Sequence, residues 1–198
     1  MKKTAFDIVL ASASPRRAQL LQQLGWYPHI QPVDIDESVH SQEVAPEYCL
    51  RMAREKMAHA VENLQTSLPI ITADTIVVLG DKILGKPKNR KEAVLTLIKL
   101  SAREHHVYSA VSVWYAGKAK SILSTNEVKM TEINENQINA YVDTGEPMDK
   151  AGSYGIQGYA AMWIEQIKGS YSSIMGLPLF ETTTLLQDLG VLSPLDRF

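Results

Sequence analysis

The sequence predicts a mixed α/β (α+β) fold built on a mixed sheet, in one domain over residues 1–198, and three observations predict it. Of the 198 residues 45% are hydrophobic, enough to bury a real core in one large domain or one domain with a small lobe. Short apolar, β-branched runs are interspersed with stretches of helical period, without the strict strand–helix alternation of a purely parallel sheet. No repeat, low-complexity segment or long linker divides the chain. The 20 basic and 22 acidic side chains leave a formal charge of -2, so no global field attracts nucleic acid or an anionic membrane, and a polyanion would need a local basic pocket.

Met1-Lys2-Lys3 ahead of an apolar stretch and Ala11-Ser12-Ala13 has the outline of a secretory signal. Asp7 interrupts that run, which is too short for a signal core, and Pro15-Arg16-Arg17 follows at once. No segment approaches the roughly 18 apolar residues of a membrane span. The one cysteine, Cys49, excludes an intrachain disulfide and a multi-thiolate metal site, and reads as a small apolar residue in a helix. A cytoplasmic protein is expected.

Phe6 to Ala11 reads as a buried strand that ends in the loop Ser12-Ala13-Ser14-Pro15. Ser14 is placed to cap, and Pro15 to begin, a helix that stops at Gly25. A second strand is expected from His29 to Val33, and a helix from Pro46 to about Gln65, where Leu50, Ala53, Met57, Ala60, Val61 and Leu64 keep helical spacing. Leu68 to Leu79 is the strongest strand signal, reversing at Gly80-Asp81 into an arm that ends at Gly85-Lys86-Pro87. Asn89 can cap a helix through Leu100 with Val94, Leu97, Ile98 and Leu100 inward; strands at Val107 to Tyr115 and Ile122 to Met130 then form a hairpin around Gly117. Asn134 can cap a helix to about Val142. Gly145-Glu146-Pro147 breaks the pattern, Tyr159 to Ile167 is strand-like, and Leu177 to Leu189 reads as a final helix packed on the sheet.

Candidate chemistry begins at Ser12-Ala13-Ser14-Pro15-Arg16-Arg17, a strand-to-helix junction where free N–H groups, two hydroxyls and two guanidiniums would favour phosphate. A capped helix with a solvated arginine pair is equally consistent with this segment, although cations in a first turn oppose the helix dipole. Neither phosphate-loop nor dinucleotide glycine pattern occurs. Asp74 is an acid in mid-strand among Ile70, Ile71, Ile76, Val77 and Val78, costly to bury unless paired, hydrogen-bonded or on a metal. Asp34, Asp36 and Glu37 offer hard oxygens for Mg²⁺ or Mn²⁺, or form a solvated acidic loop. Lys56 and Lys86 are unremarked by themselves. Gly152, Gly155 and Gly158 permit close approach of backbone or ligand, and Gln157 can read a base edge or bond its own turn. His105 and His106 point to opposite faces of a strand, and no histidine has metal spacing, so a zinc enzyme is not expected.

Taken together, Ser12-Ala13-Ser14-Pro15-Arg16-Arg17, Asp34-Ile35-Asp36-Glu37, Ala53-Arg54-Glu55-Lys56, Ala73-Asp74-Thr75, Gly85-Lys86-Pro87, Asp149-Lys150-Ala151-Gly152 and Ile156-Gln157-Gly158 resemble the Maf family, in the family's order and over nearly the whole chain. The resemblance implies an elongated fold like that of the inosine triphosphate pyrophosphatases, with a central mixed sheet and a cleft between two lobes. It implies hydrolysis of a nucleoside triphosphate to monophosphate and pyrophosphate, a divalent cation (Mg²⁺ or Mn²⁺), and often a homodimer. Residue by residue, it makes Asp74 the proton acceptor, with Lys56 and Lys86 catalytic and Ser12, Arg16 and Arg17 on the phosphates. Glu37 and Asp74 would hold the metal. Arg16, Thr75 and Gln157 match the positions that accompany preference for pyrimidines, which implies dTTP and UTP as substrates, with CTP and modified pyrimidines as further ones, whereas the sister branch that prefers 7-methyl-GTP departs from the Asp-Lys-Ala-Gly and Ile-Gln-Gly motifs. The family's link with septum formation leaves a non-enzymatic nucleotide-binding regulator as the alternative, and a nucleotidyltransferase as a further one.

Overall fold

The computed structural model describes residues 7–197, with seven strands in one mixed sheet. Strand β1 (Ile8–Leu10) leads through the serine loop into helix α1 (Pro15–Gln23), which returns the chain to β2 (Pro28–Ile30), a parallel neighbour of β1. Helix α2 (Ala45–Asn63) delivers the central strand β3 (Ile70–Leu79), which turns at Gly80 into the short β4 (Lys82–Leu84). Helix α3 (Arg90–Leu100) precedes the long hairpin of β5 (Glu104–Tyr115) and β6 (Lys118–Met130). After α4 (Glu135–Asp143) come three tight 3-10 turns, then β7 (Ile164–Lys168), the short α5 (Tyr171–Ile174) and α6 (Leu179–Asp188).

The strand order is β2-β1-β3-β5-β6-β7, with β4 also on β3. Strand β5 occupies one edge of β3 from Ile70 to Val78. The other edge is shared. Strand β1 pairs with it in parallel as far as Leu10↔Ile71, and β4 takes it up again antiparallel from Val77↔Leu84. Between Ile71 and Val77 the edge has no strand partner, which leaves a notch in the centre of the sheet.

Successive side chains of a strand point to opposite faces, so the notch is reached from both. Helix α2 covers one face: Cys49, Met52 and Ala53 pack on Ile76, Val78 and Ala110, while Met57 and Ala60 meet Val9 and Ile70. The other face carries two cores. Helices α1 and α6 pack on Ile71, Ala73, Val111 and Val113, and helices α3 and α4 on Val77, Val107 and Val128. Each fully buried leucine of these cores, such as Leu21, Leu97 or Leu186, contributes about 1.5–3 kcal/mol. Between the two cores β3 and β5 present Thr75 directly opposite Ser109, a polar pair that keeps the cores apart. A cleft between two lobes follows.

Most expected elements are present, and the differences have local causes. Phe6, the expected start of the first strand, lies outside the described residues. Strand β2 ends at Ile30 rather than Val33: Gln31 still donates to Leu10 O at 3.0 Å, but Pro32 has no N–H to continue the ladder. Ile98 is 48% exposed, because Ala93, Leu97 and Leu100 form the buried stripe of α3. Tyr159–Trp163 is a 3-10 turn rather than strand, with Ala160 and Trp163 eclipsed and both buried. The final helix begins at Leu179, and the separate turn of α5 was not expected. Asn89 and Asn134 cap α3 and α4 as expected, the latter in a capping box with Gln137. No helix among the described residues is long and apolar enough to cross a membrane.

Candidate active site

A cleft of about 850 Å³ opens at the notch, lined from both faces of β3. On the α2 face Lys56 rises from the helix to meet Asp74, its Nζ donating to Oδ1 at 2.7 Å. The same Nζ lies 2.6 Å from Glu37 Oε1, so one ammonium joins two carboxylates from separate segments. Lys56 and Asp74 have side chains only 12% exposed, which explains how an acid survives in this strand: it is paired in a largely desolvated site. Asp74 Oδ2 accepts no hydrogen bond from the protein among the described residues. Burial raises the Glu37 carboxyl, but the Lys56 hydrogen bond and the charges of Lys56 and Lys86 outweigh it, holding the group below its ordinary value. Tyr48 donates to Glu37 O at 2.8 Å and is pushed up to about 12 by burial and then by Asp74, so it remains a donor. Burial, then the Asp74 charge, also drives the Cys49 thiol upward, which closes thiolate chemistry to it.

The loop before α1 supplies the next wall. Ser14 occupies the N-cap position in extended conformation, but its hydroxyl makes no capping bond, contrary to expectation. Ser12 Oγ instead accepts from Ser14 N at 3.2 Å. The first-turn N–H groups of α1 are therefore not taken by a side-chain cap, which suits an anion at the positive end of the helix. Arg17 lies across the notch: Nη1 donates to Ala73 O at 2.8 Å and Ser12 Oγ at 3.0 Å, and Nε donates to Gly176 O at 2.8 Å. This is the reason for a cation in that first turn, since its guanidinium satisfies the strand edge that no neighbouring strand reaches. Burial lowers the Arg17 pKa, and Asp74 opposes the shift. Arg16 lines the cleft, its Nη1 3.2 Å from Asp149 Oδ2.

The segment after α4 forms the far wall. Lys150 Nζ binds Asp149 Oδ1 and Glu146 O, each at 2.6 Å. Gly152 has φ +69, and a Cβ there would stand 2.8 Å from Val77 Cγ1, so only glycine lets this segment lie against β3. Gly152 N donates to Gly85 O at 3.2 Å, which holds the Gly85-Lys86-Pro87 loop at the cleft mouth. Lys86 is exposed and has no ion-pair partner among the described residues. Gln157 lines the cleft and is exposed.

Ser12, Arg16, Arg17, Glu37, Lys56, Asp74, Thr75, Lys86 and Gln157 thus line one cleft. The acidic run does not act as a unit: Asp36 caps its own turn, accepting from Ser38 N at 2.9 Å, and Asp34 is exposed away from the cleft lining. Among the described residues no group of three or more His, Cys, Asp or Glu gathers to hold a metal. Three features carried no sequence signal: Ser109 below Thr75, the Gly176 carbonyl that anchors Arg17, and Tyr154, buried in the cleft wall with its hydroxyl 2.8 Å from His105 Nε2.

A family model described as Maf-like protein matches residues 7–189. The dTTP/UTP pyrophosphatase of Methylobacillus flagellatus is 50% identical over 188 residues, covering 94% of each chain. That of Neisseria meningitidis serogroup B is 45% identical, covering 95% of this chain and 96% of its own. The nucleoside triphosphate pyrophosphatase of Haemophilus ducreyi is 45% identical, covering 93% and 95%. Among solved structures, a dITP/XTP pyrophosphatase of Mycobacterium abscessus aligns over 91% of this chain and 94% of its own at 15% identity, with a TM-score of 0.41. The family model spans both walls of the cleft, from the strand before the serine loop to the last helix, and the chain belongs to the Maf family.

Proposed function

We propose that this chain is a nucleoside triphosphate pyrophosphatase that cuts dTTP and UTP between the α and β phosphates, releasing a monophosphate and pyrophosphate. The observation that carries the reading is Lys56 held between Asp74 and Glu37 at the notch, with Ser12, Arg16, Arg17 and Lys86 around the same opening. The names of relatives at 45–50% identity support the substrate class.

In this reading the triphosphate enters at the N-terminus of α1, where the free amides and the Ser12 hydroxyl meet phosphate oxygens. Arg16 exchanges the exposed Asp149 for the incoming anion, and Lys86 closes on it from the opposite loop. Asp74 lines the cleft and its Oδ2 accepts the proton of the water that attacks the α-phosphorus, while Lys56 keeps Oδ1 fixed. Arg17 positions Ser12 and the strand edge rather than serving as a free phosphate ligand.

The cleft is lined by five basic and four acidic side chains, so the protein's own surplus falls well short of a triphosphate's roughly four negative charges. Two carboxylates that converge on one ammonium fit a Mg²⁺ or Mn²⁺ that takes its remaining ligands from water and phosphate, and Glu37 and Asp74 would hold it. Such an ion would supply the missing charge neutralisation on the phosphates.

The test is pyrophosphate release from UTP, dTTP, CTP and 7-methyl-GTP with Mg²⁺ or Mn²⁺. Release from UTP and dTTP is expected; release from 7-methyl-GTP alone would place the chain in the sister branch, and release from none would favour a nucleotide-binding regulator. Asp74→Asn should fold and bind yet lose at least about 10²-fold in turnover. Wild-type turnover in that variant would remove Asp74 from the reaction.

A further inference from the structure

We infer that Ser109, sealed beneath the cleft at 0% exposure, decides which pyrimidine is accepted by holding the hydroxyl proton of Thr75 inside the protein. The inference rests on the pyrimidine triphosphatase reading above and deepens it.

A serine or threonine hydroxyl carries one proton and two lone pairs. Ser109 Oγ donates its proton to the Ser173 carbonyl at 2.7 Å. Thr75 Oγ1 lies 2.9 Å from Ser109 Oγ and is therefore the donor in that contact. Gly176 O lies 3.3 Å from Thr75 Oγ1, long for an O–H···O bond, and already receives Arg17 Nε at 2.8 Å, so it does not hold the Thr75 proton by itself. Ser109 thus holds the Thr75 proton inside the protein, Arg17 Nη2 reaches one lone pair of Thr75 Oγ1 at 3.5 Å, and Thr75 shows the cleft only its remaining lone pair.

The arrangement is anchored from three elements. Asn126 on β6 donates from Nδ2 to Ser173 Oγ at 2.7 Å and to Val107 O at 3.0 Å, and its Oδ1 accepts from Ser170 N at 2.7 Å. Ser109, Ser173 and Asn126 are all buried, so water cannot exchange for any of these bonds. The chain from Asn126 through Ser173 and Ser109 leaves Thr75 no rotamer freedom for its proton.

Thr75 sits on the face of β3 opposite the Lys56–Asp74 pair; Ile156, Gln157, Met175 and Gly176 also line the cleft, and the Arg17 guanidinium beside Thr75 is spent on Gly176 O, Ala73 O and Ser12 Oγ. That end suits a base, as the ionic end suits phosphate. An acceptor fixed in place selects a donor, and at N3 uracil and thymine present N–H whereas cytosine presents a lone pair. Gln157 carries both a donor and an acceptor and can turn to suit either, so discrimination falls to Thr75.

The experiment compares kcat/KM for UTP and CTP, with Mg²⁺, in the full chain and in Ser109→Ala. In the wild type UTP is favoured; in the variant the Thr75 proton can rotate into the cleft, and the UTP-to-CTP ratio should fall about tenfold, through KM. A purely structural role would lower both substrates together and leave the ratio unchanged. If Ser109→Ala does not fold, Ser109→Cys, whose thiol is a weak acceptor, should move the ratio in the same direction. A folded variant with the wild-type ratio, or a wild type indifferent to the two bases, overturns the inference. A wild type that hydrolyses neither overturns the pyrophosphatase reading beneath it.

Discussion

Lys56 compresses two requirements into one side chain: it pairs with an acid inside the sheet and holds that acid's carboxylate in place for chemistry. Its removal leaves Asp74 and Glu37 near each other with no cation between them, and like charges at close range repel. Lys56→Met should therefore cost about 1–3 kcal/mol in urea unfolding at neutral pH, and that cost should shrink when Asp74→Asn is added. Additive losses in the two variants would show that the pair is not coupled. Nothing at Lys56 announces this in the sequence, because its partners lie 18 and 19 positions away on a strand and a loop, and only α2 packing on β3 brings them together. Asp74 was legible since an acid among isoleucines and valines demands a partner. Ser109 was not, because its meaning depends on the antiparallel register that sets it opposite Thr75. Arg17 was legible as a residue of the site but not in its task, which follows from the unpaired edge it covers.

At the scale of elements, the segment from Gly145 to Gly158 works as a wall only because it lies flat on β3. Gly152→Ala would force a side chain into a left-handed backbone and against Val77, and should destabilise the fold by about 2–4 kcal/mol, with partial relief from Val77→Ala. Equal unfolding midpoints for wild type and Gly152→Ala would show that the wall yields. Helices with strong caps, α3 and α4, were legible to within a residue because Asn89 and Asn134 satisfy first-turn amides that any helix leaves open. Strand β3 was legible from its apolar run, and β5 and β6 proved longer than their apolar stretches because antiparallel pairing extends past them. The 3-10 turns and α5 were not legible, since they are held by tertiary contacts rather than by periodicity.

For the molecule as a whole, the polar pair of Thr75 and Ser109 lies between the two cores on one face, and His105 is buried beside Tyr154 of one of them. Its Nε2 bonds Tyr154, its Nδ1 has no partner, and burial, then neighbouring His106, pushes its pKa down to about 4. The unfolded chain takes up that proton near 6.5, so the folded state loses stability as the pH falls from 6.5 toward 4, by up to about 1.4 kcal/mol per pH unit. Urea midpoints between pH 7 and pH 4 should fall more gently in His105→Gln, and an identical slope would exclude His105 as the source. The notch in β3 bears on association as well as on chemistry. An open sheet edge ordinarily serves as a template on which a stray strand from another chain can lie down and seed aggregation. Here β1 and β4 stop the opening at both ends, at Ile71 and Val77, and Arg17 plugs its carbonyl. The gap admits a nucleotide-sized guest but not an extended polypeptide, so the fold keeps reactive backbone on display in its interior without inviting self-recognition.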